Sequence, residues 1–572
     1  MHCEEALRER ASGLCGRLMY SQKLEDTCAV HWLHTSQFLL LCRSSIAPPT
    51  CDTAACEGRP FVDGRKVLCN GIVSDWEGPV QEVYAPIFKE GTQEKILIGY
   101  QARMAESDAL AALDAATASW NHGRGAWALA SPAHRVAKIQ ELVVELKKHR
   151  EQIVNVLMWE ICKTSADAAK EFDRTMDYIQ GTLDAHRELL GGDNAFKQIG
   201  GVLAQVKRRP VGVMLNMGPF NYPFNETYCT LIPALLMGNS VVMKLPNVGC
   251  LAHICTMEVY ARVFPAGVVN FVSGAGRTTM PPIMQSGKVD IFAFIGGSKA
   301  ADALMKTHPE PHRLKACLAL DAKNLAIVMP DCNLDSAVAE CVTGSLSYNG
   351  QRCTALKLMF VHESIAAQFT EKYCAAVDKM KMGLPWESGV KLTPLPEPSK
   401  PGYLRELIED AEAKGAKVIN GLGKQENGAF VRPSVLYPVS KEMRVWHEEQ
   451  FGPLCPIAPF SSLDDIYAYL DETTFGQQAS VFATDLTKTG ALLDVLANNV
   501  CRVNLNMQCS RGPDFFPFSG RKSSAQGTLS ISEALKVVSI EAITAAKDDS
   551  VGQQGMLALA ADPACTAVTS LL

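Results

Sequence analysis

The chain has 572 residues, 47% of them hydrophobic and 20% charged, with a formal net charge of −6. That length exceeds one simple core, and the small negative charge gives no basic surface for nucleic acid or an anionic membrane. No run approaches the roughly 18 apolar residues of a membrane helix, so neither a nucleic-acid nor a membrane partner is expected.

Glu4 and Glu5 stand where a secretory leader carries basic residues. Residues 1–45 mix helical patches with Cys, His and Ser, and Pro48-Pro49 close the segment, so residues 1–50 read as an extension of unknown role. Ser131–Lys148 and Glu151–Cys162 read as long helices. Short apolar runs then alternate with amphipathic stretches. Val211–Asn216 precedes Thr227–Met237, Ser240–Leu245 precedes Leu251–Phe264, and Val268–Val272 precedes Thr278–Ser286. Asp290–Ile295 precedes Lys299–His308, and Leu325–Met329 precedes Leu334–Leu346. A second series runs from Leu358–His362 and Ile365–Lys381 to Ala479–Thr484 and Lys488–Asn498. Strand–helix alternation on this scale predicts parallel α/β sheets, two in tandem. Pro394–Gly402 reads as a surface loop, and residues 549–572 as a flexible tail rich in small residues.

Twenty cysteines are spread through the chain without a Cys-x-x-Cys pair. Cys51 and Cys56 lack the second knuckle a zinc site needs, so no metal is expected. Free thiols fit a reducing compartment, and the cytoplasm is the expected location. The ending Ser570-Leu-Leu572 lacks the basic middle residue of a peroxisomal signal.

Four segments carry candidate chemistry. Cys353 lies in Asn349-Gly-Gln-Arg-Cys-Thr-Ala355 after an expected helix. A lone cysteine is ordinarily a small buried hydrophobe, but the adjacent Arg352 favours a thiolate. Asn221, in Gly218-Pro-Phe-Asn-Tyr-Pro-Phe224, follows an expected strand. It is either a turn former or an amide donor to a developing oxyanion. Lys244 ends a β-branched run and is either solvated or set against a phosphate. Gly274-Ala-Gly276 is half of a dinucleotide fingerprint.

Taken together with Glu448-Glu-Gln-Phe-Gly-Pro453, these segments resemble the aldehyde dehydrogenase superfamily over roughly residues 80–547. Phe220-Asn-Tyr-Pro223, Tyr348-Asn-Gly-Gln-Arg-Cys-Thr-Ala355 and Arg511-Gly-Pro-Asp-Phe-Phe-Pro-Phe518 look like its non-phosphorylating, NADP-dependent glyceraldehyde-3-phosphate branch. The resemblance implies an α/β aldehyde dehydrogenase-like fold: two Rossmann-like domains plus a small β bridging and oligomerisation element. It implies an NADP-binding domain over 51–319 and a catalytic domain over 320–503. A C-terminal segment with the bridging strand follows over 504–548, paired with residues 194–210. A homodimer or homotetramer is implied.

The same resemblance assigns roles. Cys353 is the nucleophile, Asn221 holds the oxyanion, and an acyl-enzyme is hydrolysed by water. Phe220, Lys244, Asn247, Gly274, Gly297, Ser298, Glu449 and Phe451 face NADP. Lys244 meets the 2′-phosphate, and neutral Asn247 replaces the glutamate of NAD-selective relatives. Ser298 opens the helix that receives the pyrophosphate. Tyr222, Arg352 and Arg511 hold the substrate phosphate, with Arg187 standing in for a further helix arginine. The expected substrate is D-glyceraldehyde 3-phosphate.

One motif departs from the family. The usual general-base glutamate is replaced by Ala319 in Leu318-Ala-Leu-Asp-Ala-Lys323. Asp321, two places on and on the same face of an extended segment, is the expected substitute, or else a local cap. A missing base costs roughly 10²–10⁴ in rate. The departure therefore leaves open a rival reading, a fold kept for binding or assembly.

Overall fold

The computed structural model describes residues 46–193, 195–562 and 565–568. Residues 1–45 of the expected extension lie outside them, and Thr50–Cys51 forms a short strand against Phe88–Lys89.

The elements that build the site run in chain order. A long helix, α1 (Ser165–Asp193), leads into β1 (Val202–Pro210) and β2 (Val213–Met217). Helix α2 (Pro223–Met237), β3 (Ser240–Lys244), β4 (Val269–Val272) and β5 (Ile291–Ile295) follow. Next come α3 (Ser298–Thr307), β6 (Lys315–Ala319), β7 (Asn324–Val328), α4 (Leu334–Leu346) and β8 (Leu356–His362). Then come β9 (Ser434–Tyr437), β10 (Leu454–Phe460), β11 (Gln478–Phe482) and β12 (Arg502–Leu505). The chain closes with β13 (Ala525–Gln526), β14 (Ser539–Lys547) and α5 (Ser550–Ala561).

Strands β2 to β6 form a parallel sheet in the order β4-β3-β2-β5-β6, with β13 antiparallel at its edge. Their near-continuous apolar runs are what a sheet covered on both faces requires. The order reverses between β2 and β5, which opens a crevice beyond their C-terminal ends. A second sheet runs β9-β10-β8-β7-β11-β12 in parallel, with Lys417–Val418 antiparallel beside β9. β6 leads into β7 through residues 320–323. One sheet therefore offers C-terminal strand ends to the other's N-terminal ends.

β14 pairs with β1 from Ser539–Pro210 to Lys547–Val202, and Phe196–Ile199 completes this third, antiparallel sheet.

Three expectations are corrected. Residues 550–561 form helix α5 where a flexible tail is expected; Met556 is buried in a small cluster with Leu203 and Val568. The small residues permit close packing, and Asp549 caps the first turn through Gly552 N. Pro394–Gly402 is not a surface loop throughout: Leu395 is buried, and a helix starts at Lys400 with Pro401 in its first turn, where proline is tolerated. The expected helix over Leu251–Phe264 is interrupted, as Leu251–Ile254 and Met257–Val263.

Candidate active site

Between the two sheet edges lies a cavity of about 1720 Å³. The segment after β2 brings Phe220, Asn221 and Tyr222 to it, and the segment after β5 brings Gly297 and Ser298. From the second sheet come Asp321 before β7, Arg352 and Cys353 before β8, and Glu449 and Phe451 before β10. Arg511 completes the lining.

Cys353 is aimed by the tight turn that follows α4. Tyr348, Asn349 and Gly350 all take positive φ there, and a Cβ on Gly350 would lie 2.7 Å from the carbonyls of Ser345 and Gly452. Only glycine permits that approach. Asn349 is pinned by Thr393, donating to its carbonyl and accepting from its N–H, each at 3.0 Å. The Cys353 carbonyl accepts from Lys357 Nζ and Asn324 Nδ2, both at 2.7 Å. Burial pushes the Cys353 thiol up, the Lys357 ammonium pulls it down, Glu449 opposes that pull, and Arg352 assists it. Lys357 thus ranks ahead of Arg352, the cation expected from sequence. Sequence reasoning passed over it, although a lysine inside the apolar run Leu356-Lys-Leu-Met-Phe-Val361 signals a buried charge in need of a partner. Its Nζ also reaches Glu449 Oε1 at 2.7 Å.

Asn221 is buried and donates through Nδ2 to the Gln351 carbonyl at 2.8 Å, which uses one of its two amide hydrogens. Tyr222 covers the Lys163 ammonium at 3.3 Å from its ring centre, and burial pushes its hydroxyl up to about 12. Phe220 and Phe451 meet edge to face at 5.9 Å.

Asp321 lines the cavity, but its Oδ2 accepts from Ser298 N at 2.7 Å and Ser298 Oγ at 2.6 Å. It caps α3. This corrects two expectations together. The carboxylate expected as the base is held on a helix N-terminus, and the terminus expected to receive a pyrophosphate already faces an anion.

Lys244, Asn247 and Gly274 lie outside the cavity lining. Lys244 is buried at the end of β3, donates to the Leu245 carbonyl, and is pushed down to about 8 by burial. Asn247 is exposed. Gly274 takes φ +89 against the backbone of Met104.

Arg187 is displaced from the site altogether. It is exposed and pairs with Asp184 at 3.1 Å on an outer face of α1. Arg174, on the same helix, lines the cavity and bonds both oxygens of Asp514 at 2.8 and 2.6 Å. The helix phase, and not proximity in sequence, decides which arginine faces inward. Arg511 is buried, pairs with Glu226, and donates to the Leu529 carbonyl at 3.0 Å. Among the described residues, Arg352 donates only to carbonyl-type oxygens of Gly344 and Thr343 and of Gln508, and its buried Nε has no partner.

The arrangement suits acyl chemistry: a thiol beside an ammonium, an amide with a free hydrogen, and carboxylates within one cavity. Among known proteins, residues 80–541 match the model of the aldehyde dehydrogenase family. The chain is 31% identical over 486 residues to the NADP-dependent glyceraldehyde-3-phosphate dehydrogenase of Streptococcus equinus, covering 84% of this chain and 97% of that one. It is 27% identical to the chloroplastic betaine aldehyde dehydrogenase of Beta vulgaris, covering 78% and 90%. The crystal structure of the NADP-dependent glyceraldehyde-3-phosphate dehydrogenase of Bacillus halodurans C-125, complexed with NADP, superposes with a TM-score of 0.77 at 27% identity, covering 85% and 100%. Thiol, amide, two facing sheets and matched sequence agree, and the chain belongs to the aldehyde dehydrogenase family.

Proposed function

We propose that the protein oxidises a small aldehyde to its carboxylic acid with NADP, through a thioester on Cys353, and that D-glyceraldehyde 3-phosphate is the substrate. The observation that carries the reading is the meeting of Cys353 and Asn221 in one cavity, with the buried Lys357 Nζ bonded to the Cys353 carbonyl. The Cys353 thiolate adds to the aldehyde carbon, and the oxyanion is held by the remaining Asn221 N–H. NADP, when bound, accepts the hydride that converts this adduct to a thioester. Water then releases the acid.

The cavity fits the nicotinamide half of the cofactor. Phe220, Gly297, Ser298, Glu449 and Phe451 line one side of it, and a Cβ on Gly297 would meet only Asp321 Oδ1 at 3.7 Å, so space for a ligand begins there. Lys244 and neutral Asn247 would serve the 2′-phosphate, and the names of the Streptococcus and Bacillus relatives support NADP.

The phosphate assignment rests on Arg352, whose Nε has no partner among the described residues, and on Arg174 and Arg511, which line the cavity together with Tyr222. Guanidinium forks suit a phosphate. A second reading, an uncharged aldehyde, is favoured by one contact: Glu226 and Asp514 neutralise Arg511 and Arg174. The two readings divide on kcat/KM for glyceraldehyde 3-phosphate against glyceraldehyde. Preference for the phosphorylated form by tenfold or more supports the first, and Glu226→Gln should raise it by freeing the Arg511 fork. Equal efficiencies would give the uncharged aldehyde.

The homo-oligomer is proposed on the strand β14, an outer strand of its sheet with Ile540 and Ile543 exposed. An unpaired edge invites a second copy.

A further inference from the structure

Ala319 leaves the position of the family's base without a carboxylate, and Asp321 is tied to Ser298. The other acids of the cavity are also engaged. Glu171 accepts from Phe224 N and Asn225 N, Glu226 pairs with Arg511, Glu340 accepts from Gln508 N, and Glu448 is forked by Arg444. Glu449 differs. Its Oε1 takes Ala322 N at 3.1 Å and Lys357 Nζ at 2.7 Å, while Oε2 receives no hydrogen bond among the described residues. The same Lys357 Nζ is bonded to the Cys353 carbonyl, so carboxylate and nucleophile share one ammonium.

We propose that Glu449, held on Lys357, is the base that hydrolyses the acyl-enzyme in place of the missing glutamate. The inference rests on the reading that Cys353 carries an acyl group. Glu449 Oε2 takes a proton from water as the water oxygen bonds to the acyl carbon. The C–S bond breaks, its electron pair stays on Cys353 as the thiolate beside Lys357, and the proton passes from Glu449 to solvent. Burial pushes the Glu449 carboxyl up against the pull of Lys357, the direction that strengthens a carboxylate as a base.

The test uses the full chain and p-nitrophenyl acetate without cofactor. Acylation of Cys353 releases a burst of nitrophenolate, and hydrolysis sets the steady phase. Glu449→Gln should keep the burst and slow the steady phase about 10²–10⁴-fold, the range for a lost general base, with the hydrolytic pH profile reduced to hydroxide dependence. Ala319→Glu in that background should restore the steady phase, which a structural role for Glu449 would not allow. Unchanged hydrolysis in Glu449→Gln, equal loss of burst and steady phase, or slowing by Asp321→Asn instead would overturn the proposal. If Cys353→Ser leaves the burst intact, the acyl-enzyme reading itself falls, and the proposal with it. NADP-dependent aldehyde oxidation, measured separately, tells whether the dehydrogenase reading alone has failed.

Discussion

At the residue scale, the nucleophile's ionisation is drawn against burial by a side chain four positions on, in strand β8. Lys357 is almost fully buried and spans the Cys353 carbonyl and Glu449. Removing its charge takes away the largest pull towards thiolate, while burial continues to push the thiol up. A group whose titration moves up is less ionised at a fixed pH. Lys357→Met should therefore shift the pH profile of Cys353 alkylation by iodoacetamide to the alkaline side, and slow it at neutral pH by roughly tenfold, the factor that one pKa unit carries. An unshifted profile would assign the activation to Arg352 or the backbone. Arg187 and Arg174 show the limit of sequence at this scale, since residues on one helix carry the same charge and face different surroundings.

At the element scale, the loop that carries Asn221 is fixed by what holds the first turn of α2. Glu171 Oε1 accepts from Phe224 N at 3.0 Å and Asn225 N at 3.2 Å, which satisfies free donors of the helix N-terminus and places a negative charge against its positive end. Lys163 pairs with the other oxygen, and both side chains are fully buried. Breaking one partner of such a pair costs about 3–5 kcal/mol, because it strands the other charge. Glu171→Gln should therefore lower stability by that order in urea unfolding and loosen Asn221. Lys163→Met with Glu171→Gln should cost less than the two single changes together. Simple additivity would mean that the two groups do not act as a pair. Neither residue stood out in the sequence, because the signal is a contact between α2 and the start of α1.

At the scale of the whole molecule, the third sheet joins distant parts of the chain, with β14 paired to β1. Ile540 and Ile543 stand exposed on β14, and Ile199 on the strand at the other edge of the same sheet. Isolated apolar residues are ordinary on a surface, but an outer strand that exposes two isoleucines is an interface in waiting. Sedimentation should give a dimer or tetramer at micromolar concentration, and Ile543→Glu should shift it towards the monomer. A wild-type monomer would remove the assembly.

The sequence by itself determined the strands that are buried on both faces. Val211–Asn216 and Ser240–Leu245 read as strands because short, largely apolar runs have few other fates, and strands form at Val213–Met217 and Ser240–Lys244. It also determined the family, through motifs around Asn221, Cys353 and Glu449 that meet in one cavity. It did not determine which ionisable groups are free to act, because a carboxylate's partner is chosen across the fold. Asp321 goes to Ser298, Glu226 to Arg511, and Glu449 to Lys357, whose partners lie 23, 285 and 92 residues away in the chain. Hydrogen bonds and ion pairs act over a few ångströms, so only the packing of one sheet's C-terminal strand ends against the other's N-terminal ends could decide them.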